Sequence, residues 1–96
     1  MSQLISVNFE VGGKVQGVYF RKYTQRKANE LGVSGWCMNT ERGTVTGQLQ
    51  GPERKVEEMK IWLAVEGSPK CRIDKTKFTY HQCIDKLSFK QFTIRR

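Results

Sequence analysis

Val11-Gly12-Gly13-Lys14-Val15-Gln16-Gly17-Val18-Tyr19-Phe20-Arg21 is the stretch that decides how this chain is read. A period-two strand runs into it, side-chain bulk disappears over its glycines, and a helical pattern begins where it ends at the arginine. Strand, glycine loop and helix start is an arrangement that aims main-chain N–H groups at an anion. Arg21 at the helix start adds a planar fork of donors matched to two oxygens of one phosphate. The stretch reads as a phosphate cradle.

Spacing excludes two familiar cradles. The Walker pattern needs G-x-x-x-x-G-K-[S/T], whereas Gly17 is followed by Val18 and Tyr19. The dinucleotide fingerprint G-x-G-x-x-G fits no register of Gly12, Gly13 and Gly17. The bland alternative is a glycine-rich β-to-α connection without a ligand, and spacing alone does not separate the two. Arg21 favours the site, because a cation beside the positive end of a helix dipole is mildly unfavourable and a bare connection has no use for one.

Working outward, Ile5, Val7, Phe9 and Val11 alternate with Ser6, Asn8 and Glu10 as a half-buried strand does. Beyond the loop, Phe20, Tyr23, Ala28 and Leu31 share one helix face, and Gly32 is a stop signal. Lys22, Arg26 and Lys27 on its polar side read as a solvated face. Val33 to Asn39 and Thr44 to Gln50 read as two strands of a hairpin joined through Thr40, Glu41, Arg42 and Gly43. Pro52 suits a first helical turn, and Val56, Met59 and Leu63 form the apolar stripe of a second helix that ends near Gly67-Ser68-Pro69. Ile73 to Tyr80 reads as a strand whose alternation Lys75 and Lys77 interrupt, His81 to Ser88 as irregular, and Phe92 with Ile94 as a short last strand. Strand, helix, strand, strand, helix, strand is the ferredoxin-like plan, with one terminal strand added.

The chain has 96 residues, which predicts a single domain over 1–96 with one modest core. Its 38% hydrophobic and 27% charged residues fit a globular domain rather than a disordered one. The formal charge of +8 points to anionic partners: nucleic acid, an acidic membrane or a phosphorylated metabolite. Cys37, Cys71 and Cys83 are odd in number, far apart and without a C-x-x-C pair. They argue against a zinc site or disulfide framework and for a reduced, cytoplasmic setting. No apolar run is long enough to span a bilayer.

At this point two long motifs carry a resemblance. G-x-V-Q-G-V-x-F-R, from Gly13 to Arg21, and G-W-C-M-N-T-E-R-G-T-V, from Gly35 to Val45, resemble the two signatures of the acylphosphatases. Gly51-Pro52-Glu53, Gly67-Ser68-Pro69 and Arg72-Ile73-Asp74 extend the likeness over nearly the whole chain. The resemblance implies an α+β, ferredoxin-like βαββαβ sandwich. Its sheet is antiparallel, with a short extra C-terminal strand and two helices on one face. It also implies hydrolysis of carboxyl–phosphate anhydrides by a monomer without metal, cofactor or covalent intermediate, releasing inorganic phosphate. Arg21 and Asn39 correspond to the family's two catalytic residues. Lys14, Val15, Gln16, Gly17, Val18, Tyr19 and Phe20 correspond to the loop that binds the substrate phosphate. Vertebrate members commonly end in a tyrosine whose carboxylate approaches the arginine, whereas this chain ends Arg95-Arg96.

The remaining residues of note have plainer readings. Asn39 before Thr-Glu-Arg-Gly is also a natural turn residue, and Thr40 is placed to support it. His81 reads as a surface residue, Cys37, Trp36 and Trp62 as packing, and Lys70, Arg72, Lys75 and Lys77 as a solvated strand face. Two rival functions remain open here. A basic ferredoxin-like sheet also describes RNA-binding modules, although no segment carries their K/R-G-F/Y-G/A-F-V-x-F/Y pattern. The other is an idle interaction domain that kept the fold.

Overall fold

The computed structural model describes residues 3–95, and Arg96 with the terminal carboxylate read from the sequence therefore lies outside the described residues. Strand β1 (Leu4–Lys14) leads into helix α1 (Phe20–Leu31), followed by β2 (Ser34–Asn39) and β3 (Val45–Pro52). Helix α2 (Glu53–Ile61) continues through a π-helical turn (Trp62–Glu66), and β4 (Arg72–Ile84) and β5 (Phe92–Ile94) complete the chain. The five strands lie in the order β4-β1-β3-β2-β5. Contacts between β1, β3, β4 and β2 are all antiparallel, as expected for the ferredoxin-like plan. The sheet as a whole is mixed, because β5 runs parallel to β2.

The alternation in β1 does what it predicts. Ile5, Val7, Phe9 and Val11 are at most 2% exposed and join Val45 and Leu49 of β3 in the core. Helix α1 adds Phe20, Thr24 and Ala28, and α2 with its π-helical turn adds Val56, Met59, Trp62 and Leu63. The rings of Phe20 and Trp62, with centroids 5.9 Å apart, join the two helices. Burial of each valine, leucine, isoleucine, phenylalanine or methionine among them favours folding by about 1.5–3 kcal/mol. Helix α1 stops at Gly32, whose positive φ of 80° closes the last turn with bonds from its N–H to Ala28 and Asn29.

Three segments differ from the sequence reading. The first strand does not end at the glycines but runs through them to Lys14, which pairs with Arg72. Gly13 makes this possible: its φ is 130°, and any Cβ would collide with the main-chain oxygen of Arg72. Pro52 ends β3 and precedes α2 with an extended ψ of 138°, so it is not in the first helical turn. The third difference is in β4, which continues to Ile84 and takes in His81–Ile84, read from sequence as irregular. Its register against β1 slips twice, so that Asp74 and Tyr80 are each an extra residue on the β4 side. Each slip reverses which residues face the core, and a period-two pattern cannot survive it.

Helix α1 holds β5 in place from the side. Gln25 donates its side-chain amide to the Phe92 oxygen at 3.2 Å, and Asn29 accepts from the Phe92 N–H at 3.3 Å. Phe92 is fully buried beneath them. Among the described residues no helix is long and apolar enough to cross a membrane.

Candidate active site

The cradle begins where β1 stops. Val15, Val18 and Phe20 turn into the core, at 1%, 9% and 1% exposure, and anchor the loop. Gln16, Gly17 and Tyr19 stay outside. Gly17 has a φ of 75° and Tyr19 a φ of 58°, so the chain twice enters the left-handed region before α1 begins. Successive residues of this kind curl main-chain N–H groups around a common concavity. No amide from Gln16 to Tyr19 donates to another main-chain group among the described residues. The N-terminus of α1 has neither a side-chain cap nor an acidic residue in its first turn. Donors and helix dipole are thus left for an anion.

Opposite the cradle stands the β2–β3 hairpin. Asn39 is the last residue of β2, and the turn after it is fastened by a 2.6 Å bond between the Thr40 and Thr44 hydroxyls and a bond from the Thr40 N–H to the Thr44 oxygen. Thr44 also donates to Glu10 at 2.7 Å, and Arg42 forms an ion pair with the same carboxylate. Those two partners hold the Glu10 carboxyl below its usual range, with the Thr44 hydrogen bond the larger cause. Thr40 therefore fastens the turn that follows Asn39 by bonding Thr44. Gln16 bridges the two halves, donating to the main-chain oxygens of Thr40 at 3.0 Å and Thr44 at 2.9 Å.

Between these elements lies a cleft of about 580 Å³ lined by Val15, Gln16, Gly17, Tyr19, Phe20, Arg21, Lys22, Gln25, Asn39 and Ile94. Arg21 and Asn39, eighteen positions apart in sequence, share it. Among the described residues Arg21 makes no salt bridge. The side-chain oxygen of Asn39 is buried and has no hydrogen-bond partner among them. An acceptor in that condition costs about 1–3 kcal/mol until a donor reaches it. Two anticipated loop residues are not in the lining: Lys14 is exposed in β1, and Val18 points into the core.

Three lining residues were not singled out for the site: Lys22, Gln25 and Ile94. Lys22 looked like one more solvated cation, and Ile94 lies on a strand too short to place from pattern. The usable signal was helical spacing, since Arg21 and Gln25 are four residues apart and so neighbours on one face of α1. Cys37 lies behind the arginine, its sulfur 4.0 Å from the Arg21 oxygen. Burial pushes its thiol up to about 12 even though the Arg21 guanidinium pulls the other way. It is packing, not a nucleophile.

Comparison with known proteins gives one consistent result. Residues 7–94 match the sequence profile of the family described as Acylphosphatase. The chain is 60% identical to Acylphosphatase-1 of Xenopus tropicalis over 90 residues, covering 94% of this chain and 92% of that protein. It is 55% identical to Acylphosphatase-2 of Homo sapiens over 92 residues, covering 96% and 93%. Among solved structures, the acylphosphatase from Bacillus subtilis superposes with a TM-score of 0.87 at 26% identity, covering 96% of this chain and 99% of that one. Nothing in these likenesses supports a nucleic-acid-binding module.

Proposed function

We propose a division of labour for this chain, which belongs to the acylphosphatase family and hydrolyses acyl phosphates to a carboxylate and inorganic phosphate. The main-chain N–H groups from Val15 to Phe20 and the guanidinium of Arg21 hold the phosphoryl group. Asn39 orients the attacking water. Water forms the new P–O bond as the bond from phosphorus to the acyl oxygen breaks, and that electron pair leaves on the carboxylate. An acyl phosphate dianion and water give carboxylate and dihydrogen phosphate, which then loses a proton to solvent according to pH.

A carboxylate leaves as the base of an acid with pKa of about 4, so no general acid has to protonate it. The transition state is loose and its charge rests on the non-bridging oxygens, where fixed donors act most strongly. Arg21 and the main-chain N–H groups of the loop supply such donors. A carboxamide cannot take a proton from water at neutral pH, but it accepts from water and so fixes its direction. The observation that carries this reading is the buried, unpartnered oxygen of Asn39 in the same cleft as Arg21.

The test is hydrolysis of benzoyl phosphate, followed by ultraviolet absorbance in a metal chelator, with Asn39→Ala alongside. The parent should turn over. The variant should lose on the order of 10²–10³ in kcat, the cost of removing one preorganised polar group, while inorganic phosphate still inhibits it. A well-folded Asn39→Ala protein with parental kcat would overturn the assignment.

The same proposal takes residues 1–96 as one catalytic domain acting as a monomer in a reduced intracellular compartment. Support comes from a family match that runs from 7 to 94 and from three cysteines, none of them disulfide-bonded.

A further inference from the structure

The cleft of about 580 Å³ is lined beyond the loop by Gln25 and Ile94. Arg21 and Gln25 stand one above the other on α1, about 6 Å apart along the axis at 1.5 Å per residue. Gln25 is spent on the Phe92 oxygen at 3.2 Å, and Ile94 follows on β5. The cleft therefore runs from the cradle along the seam between α1 and β5. A substrate whose phosphoryl group sits at Arg21 must lay its acyl group along that seam. Lys22 borders it, exposed and without a salt bridge among the described residues. No acidic residue lines the cleft.

We propose that Lys22 is a specificity-determining residue, which favours acyl phosphates whose acyl group carries a negative charge of its own. This rests on the proposed placing of the phosphoryl group at Arg21. The lysine stem is long enough to follow an acyl chain of three or four carbons, and its ammonium meets a terminal carboxylate or second phosphate there. It leaves the reacting atoms alone: the bond made, the bond broken and the leaving carboxylate are those already described. An exposed lysine–carboxylate pair contributes about 0.2–1 kcal/mol, which is a preference of up to about fivefold, and salt screens it over about 10 Å at 0.1 M.

The experiment compares succinyl phosphate with butyryl phosphate, which match in length and differ by one carboxylate. It reads the ratio of their kcat/KM values in the parent, Lys22→Met, Lys22→Arg and Lys22→Glu. The ratio should fall by up to about fivefold in Lys22→Met, hold in Lys22→Arg, and fall further in Lys22→Glu. In the parent it should shrink with added salt. An unchanged ratio in Lys22→Met and Lys22→Glu overturns the proposal, whether both rates fall together or neither moves. If the parent cleaves butyryl phosphate in an Asn39-dependent way and the ratio ignores residue 22, only the specificity assignment is lost. If the parent cleaves neither substrate, the site reading beneath it is lost as well.

Discussion

Gln16 donates its side-chain amide to the main-chain oxygen of Thr40, 3.0 Å away and 24 residues further along the chain. A residue of the loop between β1 and α1 thus holds the residue next to Asn39, and the two sides of the cleft have a fixed separation. Gln16→Met should remove the bridge while keeping much of the volume. Both carbonyls keep a second donor, from Gly43 and Thr40, so the stability loss should be about 1 kcal/mol. The loss in kcat should exceed the change in phosphate affinity. Gln16→Glu should be worse on both counts, since it turns a donor into a charged acceptor facing two oxygens. Thermal melts and steady-state kinetics on the pair test this ranking.

Arg21→Lys keeps the charge and loses the fork. If Arg21 grips two oxygens of one phosphate, a point charge cannot replace it. Inorganic phosphate should inhibit the variant at least tenfold more weakly, and kcat/KM should fall on the order of 10² or more. Parental values for both would remove two-pronged gripping from the mechanism.

Glu10 gives the hairpin an acid-sensitive anchor. Its folded-state pKa is lowered by Thr44 first and Arg42 second, so its contribution to stability is complete above the unfolded value of about 4.5 and is lost as pH falls below it. The Arg42 side chain is 73% exposed, and the gain is therefore at most about 1 kcal/mol. The melting temperature of the parent should exceed that of Glu10→Gln by a few degrees from pH 6 to 8. The gap should close below about pH 4. A gap that widens in acid would contradict the assignment.

Gly13 and Gly17 should respond differently to alanine. At Gly17 a Cβ meets nothing within 4 Å, and only the φ of 75° opposes it, a cost of about 1–2 kcal/mol. At Gly13 a Cβ would strike the Arg72 backbone as well, and the cost should be larger, with the start of β4 displaced. Urea midpoints rank the two, and equal losses would refute the close approach of β1 and β4.

The strand–loop–helix arrangement around Gly17 was legible because its parts are contiguous: bulk vanishes at Gly12 and Gly13, returns at Val15, and ends in an arginine where a helix can start. The strand pattern from Ile5 to Val11 was equally plain. Lys14 was misleading, since its position next to the loop says nothing about the pairing with Arg72 that keeps it in β1. The far end of β4, from His81 to Ile84, was obscured by the slip at Tyr80. The parallel pairing of β5 rests on three residues and on Gln25 and Asn29 reaching across from α1. Such contacts between distant segments leave no periodic trace. Lys22 and Ile94 entered the cleft by the same route.

The slips in β4 matter to a crowd of these molecules as well as to one. β4 forms one margin of the sheet, and a margin is where a neighbouring copy would zip on. A visiting strand that pairs along Lys75 to Thr79 loses step at Asp74 on one side and at Tyr80 on the other, and Lys75 and Lys77 lie between. The opposite margin, β5, is three residues long. The sheet thus offers no straight template to a neighbouring strand at either end.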